Sequence, residues 1–195
     1  MNKESFFGVD VSVLTYELLR TKIIGDIKNN LKSTIIAINP EKLMTARKNI
    51  ELKKLLNSST YKIADGVGVV IASRLKKGNI KSRITGIDCM DMLCQLSDDK
   101  GYKIFMYGAK EEIISKAKVN LENKYQNIQI VGYINGYEKN TDLIIKKINE
   151  ARPDILFVAL GSPKQEFWIK ENMEKLDVNI FQGVGGSFDV LSENI

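Results

Sequence analysis

Short apolar runs alternating with amphipathic stretches constrain this chain more than any other feature. Residues 34–38 (TIIAI), 61–64 (YKIA), 103–107 (KIFMY), 128–131 (IQIV), 154–160 (DILFVAL) and 179–182 (NIFQ) are each a few residues long. Most are nearly continuous in apolar residues rather than strictly alternating, the pattern of strands buried on both faces. Between them apolar residues recur at helical spacing: Leu14, Leu18, Leu19, Ile23 and Ile27, then Leu43, Ala46, Arg47 and Ile50, then Ile113, Ile114, Ala117 and Leu121. Strand and helix alternate about seven times, which predicts a single α/β domain of Rossmann-like type over residues 1–195. Its sheet is mostly parallel, with helices on both faces. Residues 6–11 (FFGVDV) read as an opening strand or hairpin arm. Many of the strands run into Gly, Asn or Asp, and ligands of such sheets bind at the strands' C-terminal edge.

Local signals sharpen the helix starts. Asn39-Pro40-Glu41 places an N-cap, a first-turn proline and an acid at the positive end of a helix. That helix runs or kinks into Leu52, Leu55 and Leu56 and ends at Ser58-Ser59. Thr85 with Asp88 three residues on is a capping box, and Ser162-Pro163-Lys164-Gln165 reads as another. The helix after Asp65-Gly66 is expected to turn Val67, Val70, Ile71, the Arg74 stem and Leu75 inward.

The chain carries 44% hydrophobic and 27% charged residues, enough to bury one core. A net charge of +5 favours anionic partners. No apolar run approaches the ~20 residues of a membrane span, and residues 1–4 do not lead into a signal-peptide core, so a cytoplasmic protein is expected. Cys89 and Cys94 lie five apart and read as core thiols. Histidine is absent, which removes Ser-His-Asp and Cys-His chemistry and the commonest zinc sets.

Residues 61–88 organise the candidate site. Asp65 stands at a strand-to-helix corner and reads either as an N-cap or as a general base, its carboxylate partly desolvated by Ile63 and Val67. Arg83 reads as one of a solvated basic group with Lys76, Lys77 and Lys81, or as a bidentate clamp on a diphosphate. Gly161 and the 183–186 turn (GVGG) allow close approach of a phosphate. Gly66-x-Gly68 lacks the third glycine of a dinucleotide fingerprint, and there is neither a D-x-D pair nor a G-x-x-x-x-G-K-[ST] loop. Without a metal, Arg83 and helix N-termini would carry the charge of a diphosphate leaving group.

Asn39-Pro40-Glu41, Ala64-Asp65-Gly66-Val67-Gly68, Arg83-Ile84-Thr85-Gly86-Ile87-Asp88, Tyr107-Gly108, the 161–166 segment GSPKQE and the 183–189 segment GVGGSFD follow one another in one order. Together they resemble the WecG/TagA/CpsF glycosyltransferases, most closely the branch acting in wall teichoic acid synthesis, over essentially the whole chain. The resemblance implies an inverting, metal-independent enzyme with no cofactor. It would move N-acetylmannosamine from its UDP donor to undecaprenyl-diphosphate-linked N-acetylglucosamine. Asp65 would be the catalytic base. Asn39, Arg83, Thr85 and Gln165 would bind substrate, and the glycines Gly108, Gly136, Gly185 and Gly186 would admit the nucleotide. Ala37 departs from the hydroxyl residue usual in the family. The family also continues past G-G-x-F-D with an arginine-bearing amphipathic tail, so a truncated core lacking its membrane contact is expected, peripheral to the inner face of the membrane and homo-oligomeric. Phe188, Val190 and Leu191 would leave apolar surface exposed. The alternatives are a non-catalytic nucleotide-binding regulator or a relative using another UDP-sugar. Nucleic acid is not an expected partner, because the aromatics fall at core positions.

Overall fold

The computed structural model describes residues 1–193; Asn194 and Ile195, from which a family tail would continue, lie outside them. The chain opens with an antiparallel hairpin, β1 (Lys3–Phe6) and β2 (Val9–Ser12). Its two-residue turn is Phe7-Gly8, both at positive φ (52° and 80°), as a right-twisted hairpin requires. Residues 6–11 therefore hold the end of β1, the turn and most of β2. Helix α1 (Tyr16–Lys28) is capped by Thr15, which accepts the Leu18 N–H.

The βα units follow. Strand β3 (Ser33–Ile38) leads into α2 (Pro40–Lys48), capped by Asn39. The helix breaks at Asn49, whose side chain accepts the Leu52 N–H and starts α3 (Ile50–Ser58). Then come β4 (Tyr61–Ala64), α4 (Val67–Leu75), α5 (Gly86–Lys100), β5 (Lys103–Gly108) and α6 (Glu111–Lys124). The chain continues through β6 (Gln129–Ile134), α7 (Thr141–Ala151), β7 (Ile155–Ala159), α8 (Lys164–Asn172), β8 (Ile180–Gly183) and α9 (Ser187–Glu193).

Strands β4-β3-β8-β7-β5-β6 form one sheet, in that order and all parallel. On one face Ile35, Ile63, Ile104, Met106, Ile155, Phe157 and Ile180 pack under α1, α5, α6 and α9. On the other, Ile36, Ile38 and Ala64 meet α2, α3 and α4, while Phe105, Leu156, Val158 and Phe181 meet α7 and α8. This is the expected single Rossmann-like domain. Because every sheet strand points the same way, the loops after β3, β4, β5, β6, β7 and β8 gather at one edge.

Three local expectations differ from the structure. Strand β6 runs on to Ile134 instead of stopping before Gly132. Gly132 sits inside the strand because Phe105 lies against its α-carbon: a Cβ there would stand 2.6 Å from the ring. Helix α4 turns Val69, Val70 and Ser73 inward, whereas Val67, Ile71 and Leu75 are 56%, 50% and 82% exposed. The run 67–72 (VGVVIA) is apolar nearly all round, so periodicity could not select its buried face. Phe188 is fully buried and Asn120 donates to the Leu191 carbonyl at 2.6 Å, so α9 docks on α6; of the three apolar residues there, Val190 is 42% exposed. No described helix is long and apolar enough to cross a membrane.

Candidate active site

The loop after β4 sets the geometry. The Asp65 N–H bonds to the Ile38 carbonyl at 2.9 Å, and Ile84 N–H bonds to the Ala64 carbonyl at 2.9 Å, drawing the start of α5 alongside the end of β4. The N-cap of α4 is Gly66 (φ 94°), with no side-chain cap. Asp65 therefore does not cap its own helix. Its carboxylate reaches across to α5, where Oδ2 accepts the Gly86 N–H at 3.3 Å. Gln182 holds the same turn from below, donating from Nε2 to the Gly86 carbonyl at 2.8 Å. Asp65 is partly exposed, with Ile63 buried beneath it and Val67 turned outward.

Asp65 lines a cleft of about 470 Å³ together with Ala37, Asn39, Lys42, Thr85, Gly86, Gln165, Gly185 and Gly186. Asn39 spends its Oδ1 on the Lys42 N–H (2.8 Å), and Thr85 spends its hydroxyl on the Asp88 N–H (3.1 Å). Gln165 is 3% exposed, and its Oε1 accepts the Gly185 N–H at 3.0 Å. The S-x-x-Q capping box is not formed. Pro163, after a cis Ser162–Pro163 bond, occupies the N-cap position without a side-chain cap. The Gln165 side chain turns into the site, while its N–H bonds to the Gly161 carbonyl at 2.9 Å.

An adjoining hollow of about 360 Å³ shares Gly185 and Gly186 with this cleft. Ala109, Lys110, Gly136, Tyr137, Gly161 and Lys164 are among its other walls, with one acid, Asp189, beside the two lysines. Gly136 N–H bonds to the Ala109 carbonyl at 2.8 Å, and a Cβ on Gly136 would crowd Ala109 at 3.2 Å. Gly108 shapes this wall from behind: it has φ 124°, and a Cβ would fall 2.2 Å from the Ala159 carbonyl oxygen. Only glycine fits a site that is both left-handed and closed by backbone.

Of the expected site residues, the structure brings Asp65, Asn39, Thr85, Gln165, Gly185 and Gly186 to one cleft and adds Gly136 next to it. Gly108 is buried behind the wall, and Arg83 is exposed and makes no ion pair with any described residue. Sequence reasoning missed Lys42, whose Nζ pairs with Glu166 Oε1 at 2.6 Å with side chains 9% and 1% exposed. It also missed Lys110, Tyr137, Lys164 and Gln182. The one signal for Lys42 was its place three residues after Asn39, one turn into the helix that faces the edge. Among the described residues no group of three His, Cys, Asp or Glu side chains is arranged to hold a metal ion.

A parallel Rossmann-like sheet with a two-part cleft at its C-terminal edge, walled by glycines and bearing Asp65, defines a ligand-binding α/β domain. The glycosyl transferase WecG/TagA/CpsF family matches residues 4–195, and the chain belongs to that family. It is 38% identical over 169 residues to an N-acetylglucosaminyldiphosphoundecaprenol N-acetyl-beta-D-mannosaminyltransferase of Bacillus subtilis (strain 168). That match covers 87% of this chain and 66% of the relative. A protein of the same name from Bacillus spizizenii (strain ATCC 23059 / NRRL B-14472 / W23) is 35% identical over the same shares. One from Staphylococcus aureus (strain NCTC 8325 / PS 47) is 32% identical over 97% of this chain and 76% of the relative. The chain thus spans just under two thirds of the length of the Bacillus relatives.

Proposed function

We propose that the protein is an inverting, metal-independent glycosyltransferase that moves N-acetylmannosamine from UDP-N-acetylmannosamine to undecaprenyl-diphosphate-linked N-acetylglucosamine, in the linkage chemistry of wall teichoic acid. The observation that carries this reading is the position of Asp65. Its carboxylate does not cap its own helix, lends only Oδ2 to the Gly86 N–H at 3.3 Å, and opens into a cleft continuous with the glycine-walled hollow. In this reading the nucleotide occupies the hollow and the sugar lies toward Asp65.

Asp65 accepts the proton of the acceptor hydroxyl as that oxygen bonds to the anomeric carbon. The bond from that carbon to the diphosphate breaks, and UDP leaves with the electron pair. A single displacement inverts the anomeric centre. Lys110 and Lys164, which border the hollow, supply positive charge where the leaving group gains negative charge. Arg83, exposed two residues before Thr85 at the rim, is assigned to the diphosphate of the acceptor. Val67, Ile71 and Leu75 expose an apolar stripe on α4 just beyond Asp65. Such a surface suits the lipid end of the acceptor and supports action at a membrane face.

The test is UDP release from UDP-N-acetylmannosamine with and without detergent-solubilised undecaprenyl-diphosphate-linked N-acetylglucosamine. Acceptor-dependent release is expected. UDP binding with no acceptor-dependent release would instead make the protein a nucleotide-binding regulator, and the absence of any UDP binding would overturn both readings.

A further inference from the structure

Behind the cleft lies a chain of buried polar contacts that ends on the turn shared by its two halves. Gln165 Oε1 accepts the Gly185 N–H at 3.0 Å, and Gln165 Nε2 lies 3.4 Å from Glu166 Oε1. The same carboxylate oxygen takes Lys42 Nζ at 2.6 Å. Glu166 is 2% exposed, does not line the cleft, and its Oε2 has no partner among the described residues. Gly183 packs closely beneath the amide and holds it in place: a Cβ at 183 would meet Nε2 at 2.7 Å. Chemistry also dictates its direction. The Gly185 N–H needs an oxygen, and the Glu166 carboxylate needs a donor.

We propose that Glu166 is a positioning residue: it orients the Gln165 amide and, through it, aims the backbone of the 183–186 turn at the anionic donor, while Lys42 neutralises its charge. This rests on the donor reading of the cleft given above. A buried carboxylate is tolerable only when paired. An unpaired one behind a diphosphate site would repel the ligand that the site collects. Lys42 lies on the first turn of α2 beyond Asn39, so the chain Lys42–Glu166–Gln165–Gly185 ties the loop after β3 to the loop after β8. Donor affinity then depends on a side chain that never touches the donor.

A swap tests this. Gln165→Glu sets two carboxylates against each other and should weaken UDP binding by about tenfold to a hundredfold. Glu166→Gln should also weaken it, by leaving Lys42 unpaired and the amide undirected. The double variant Gln165→Glu/Glu166→Gln restores one donor and one acceptor between the two positions and still offers the Gly185 N–H an oxygen. It should return the Gly185 turn to its wild-type geometry, a strong non-additivity, while the carboxylate that now lines the cleft keeps UDP binding weak. The readouts are calorimetric UDP affinity, melting temperature and the backbone amide resonance of Gly185. The Gly185 resonance should move in both single variants and return in the swap. A purely structural role predicts additive losses that follow melting temperature. An unmoved Gly185 resonance in Glu166→Gln overturns the positioning role whether or not UDP binds. A resonance that moves and returns, in a protein whose wild type ignores UDP, sinks the donor reading and leaves the positioning geometry standing. If Glu166→Gln alone does not fold, Lys42→Met/Glu166→Gln removes both charges and is read by the same measurements, with the same Gly185 outcome deciding.

Discussion

Replacing Asp65 with Asn isolates the proton-accepting role, because the structure removes the competing explanation. Had Asp65 been an N-cap, removing its side chain would cost about 1 kcal/mol, and Asn would keep the cap. Gly66 holds that position, and the Asp65 side chain makes one hydrogen bond with a described residue, a long 3.3 Å bond from the Gly86 N–H. Asn keeps an oxygen for that bond and keeps the size. The expected stability change is therefore below about 0.5 kcal/mol, the range of substitutions that touch no special feature. For a chain of this length that is a shift of about 1–2 °C in melting temperature. Turnover should fall by about 10²–10⁴-fold, the usual contribution of a positioned base. That corresponds to about 2.7–5.5 kcal/mol of barrier. The assay is acceptor-dependent UDP release at saturating donor, with UDP affinity and melting temperature measured on the same preparation. UDP affinity should hold, since the amide carries no charge to repel a diphosphate. A variant that keeps its rate while folding normally would refute Asp65 as base; one that melts far lower would refute the account of its local bonding.

Four further outcomes are expected. Saturating EDTA should leave UDP binding and transfer nearly unchanged, and a loss that Mg²⁺ restores would show that lysines do not carry the leaving-group charge alone. Arg83→Lys should raise the KM for the lipid-linked acceptor and leave UDP affinity alone, because Arg83 lies outside the cleft lining; an unchanged acceptor KM would return Arg83 to the solvated basic group. Gly108→Ala should cost about 3 kcal/mol or more and lower the melting temperature by about 6–12 °C, since its Cβ would overlap the Ala159 carbonyl; Gly161→Ala, at φ 77° in open space, should cost far less. Burial, and then the Asp88 carboxylate, push the Tyr16 hydroxyl up to about 12, and burial with Asp26 or Asp91 raises Tyr61 and Tyr125 as well. The folded protein thus holds these protons more tightly than the unfolded chain, where tyrosine titrates near 10. Their contribution is complete below about pH 10 and fades as pH climbs through about 12, so urea midpoints should fall over that window and fall less in Tyr16→Phe.

The fold was legible because its evidence is repeated along the chain. A run such as DILFVAL has no polar side to turn to water, and six such runs separated by helices leave only a covered parallel sheet. Where the signal was a single residue, the reading depended on neighbours distant in sequence. Gly132 looked like the end of a strand, but it is a gap for the Phe105 ring, 27 positions earlier. The first turns of α4 are apolar nearly all round, so only packing into the cluster that holds Phe6, Val9, Ala64 and Ile80 selects Val69 and Val70.

The site was half legible for a related reason. Loops that follow strands lie at the C-terminal edge by topology, so Asn39, Gly136 and Gly185 could be assigned to one edge from the strand–helix alternation, whereas Thr85, beyond α4, reaches it through the Ile84–Ala64 bond. What each side chain does there is decided by contacts across that edge. Asp65 and Gln165 both have strong local explanations as cap residues, and both are used otherwise. Asp65 finds Gly86 because Ile84 bonds to the end of β4, and Gln165 finds Gly185 because β7 and β8 are neighbours in the sheet. Capping is worth about 1 kcal/mol on an exposed helix end. A buried amide left without partners would cost more than that, so Gln165 serves the glycine turn and leaves the start of α8 with no side-chain cap. The same preference explains why Lys42, which reads as one more surface lysine among 29 basic residues, is drawn inward: Glu166 is already committed to Gln165 and cannot be buried unpaired.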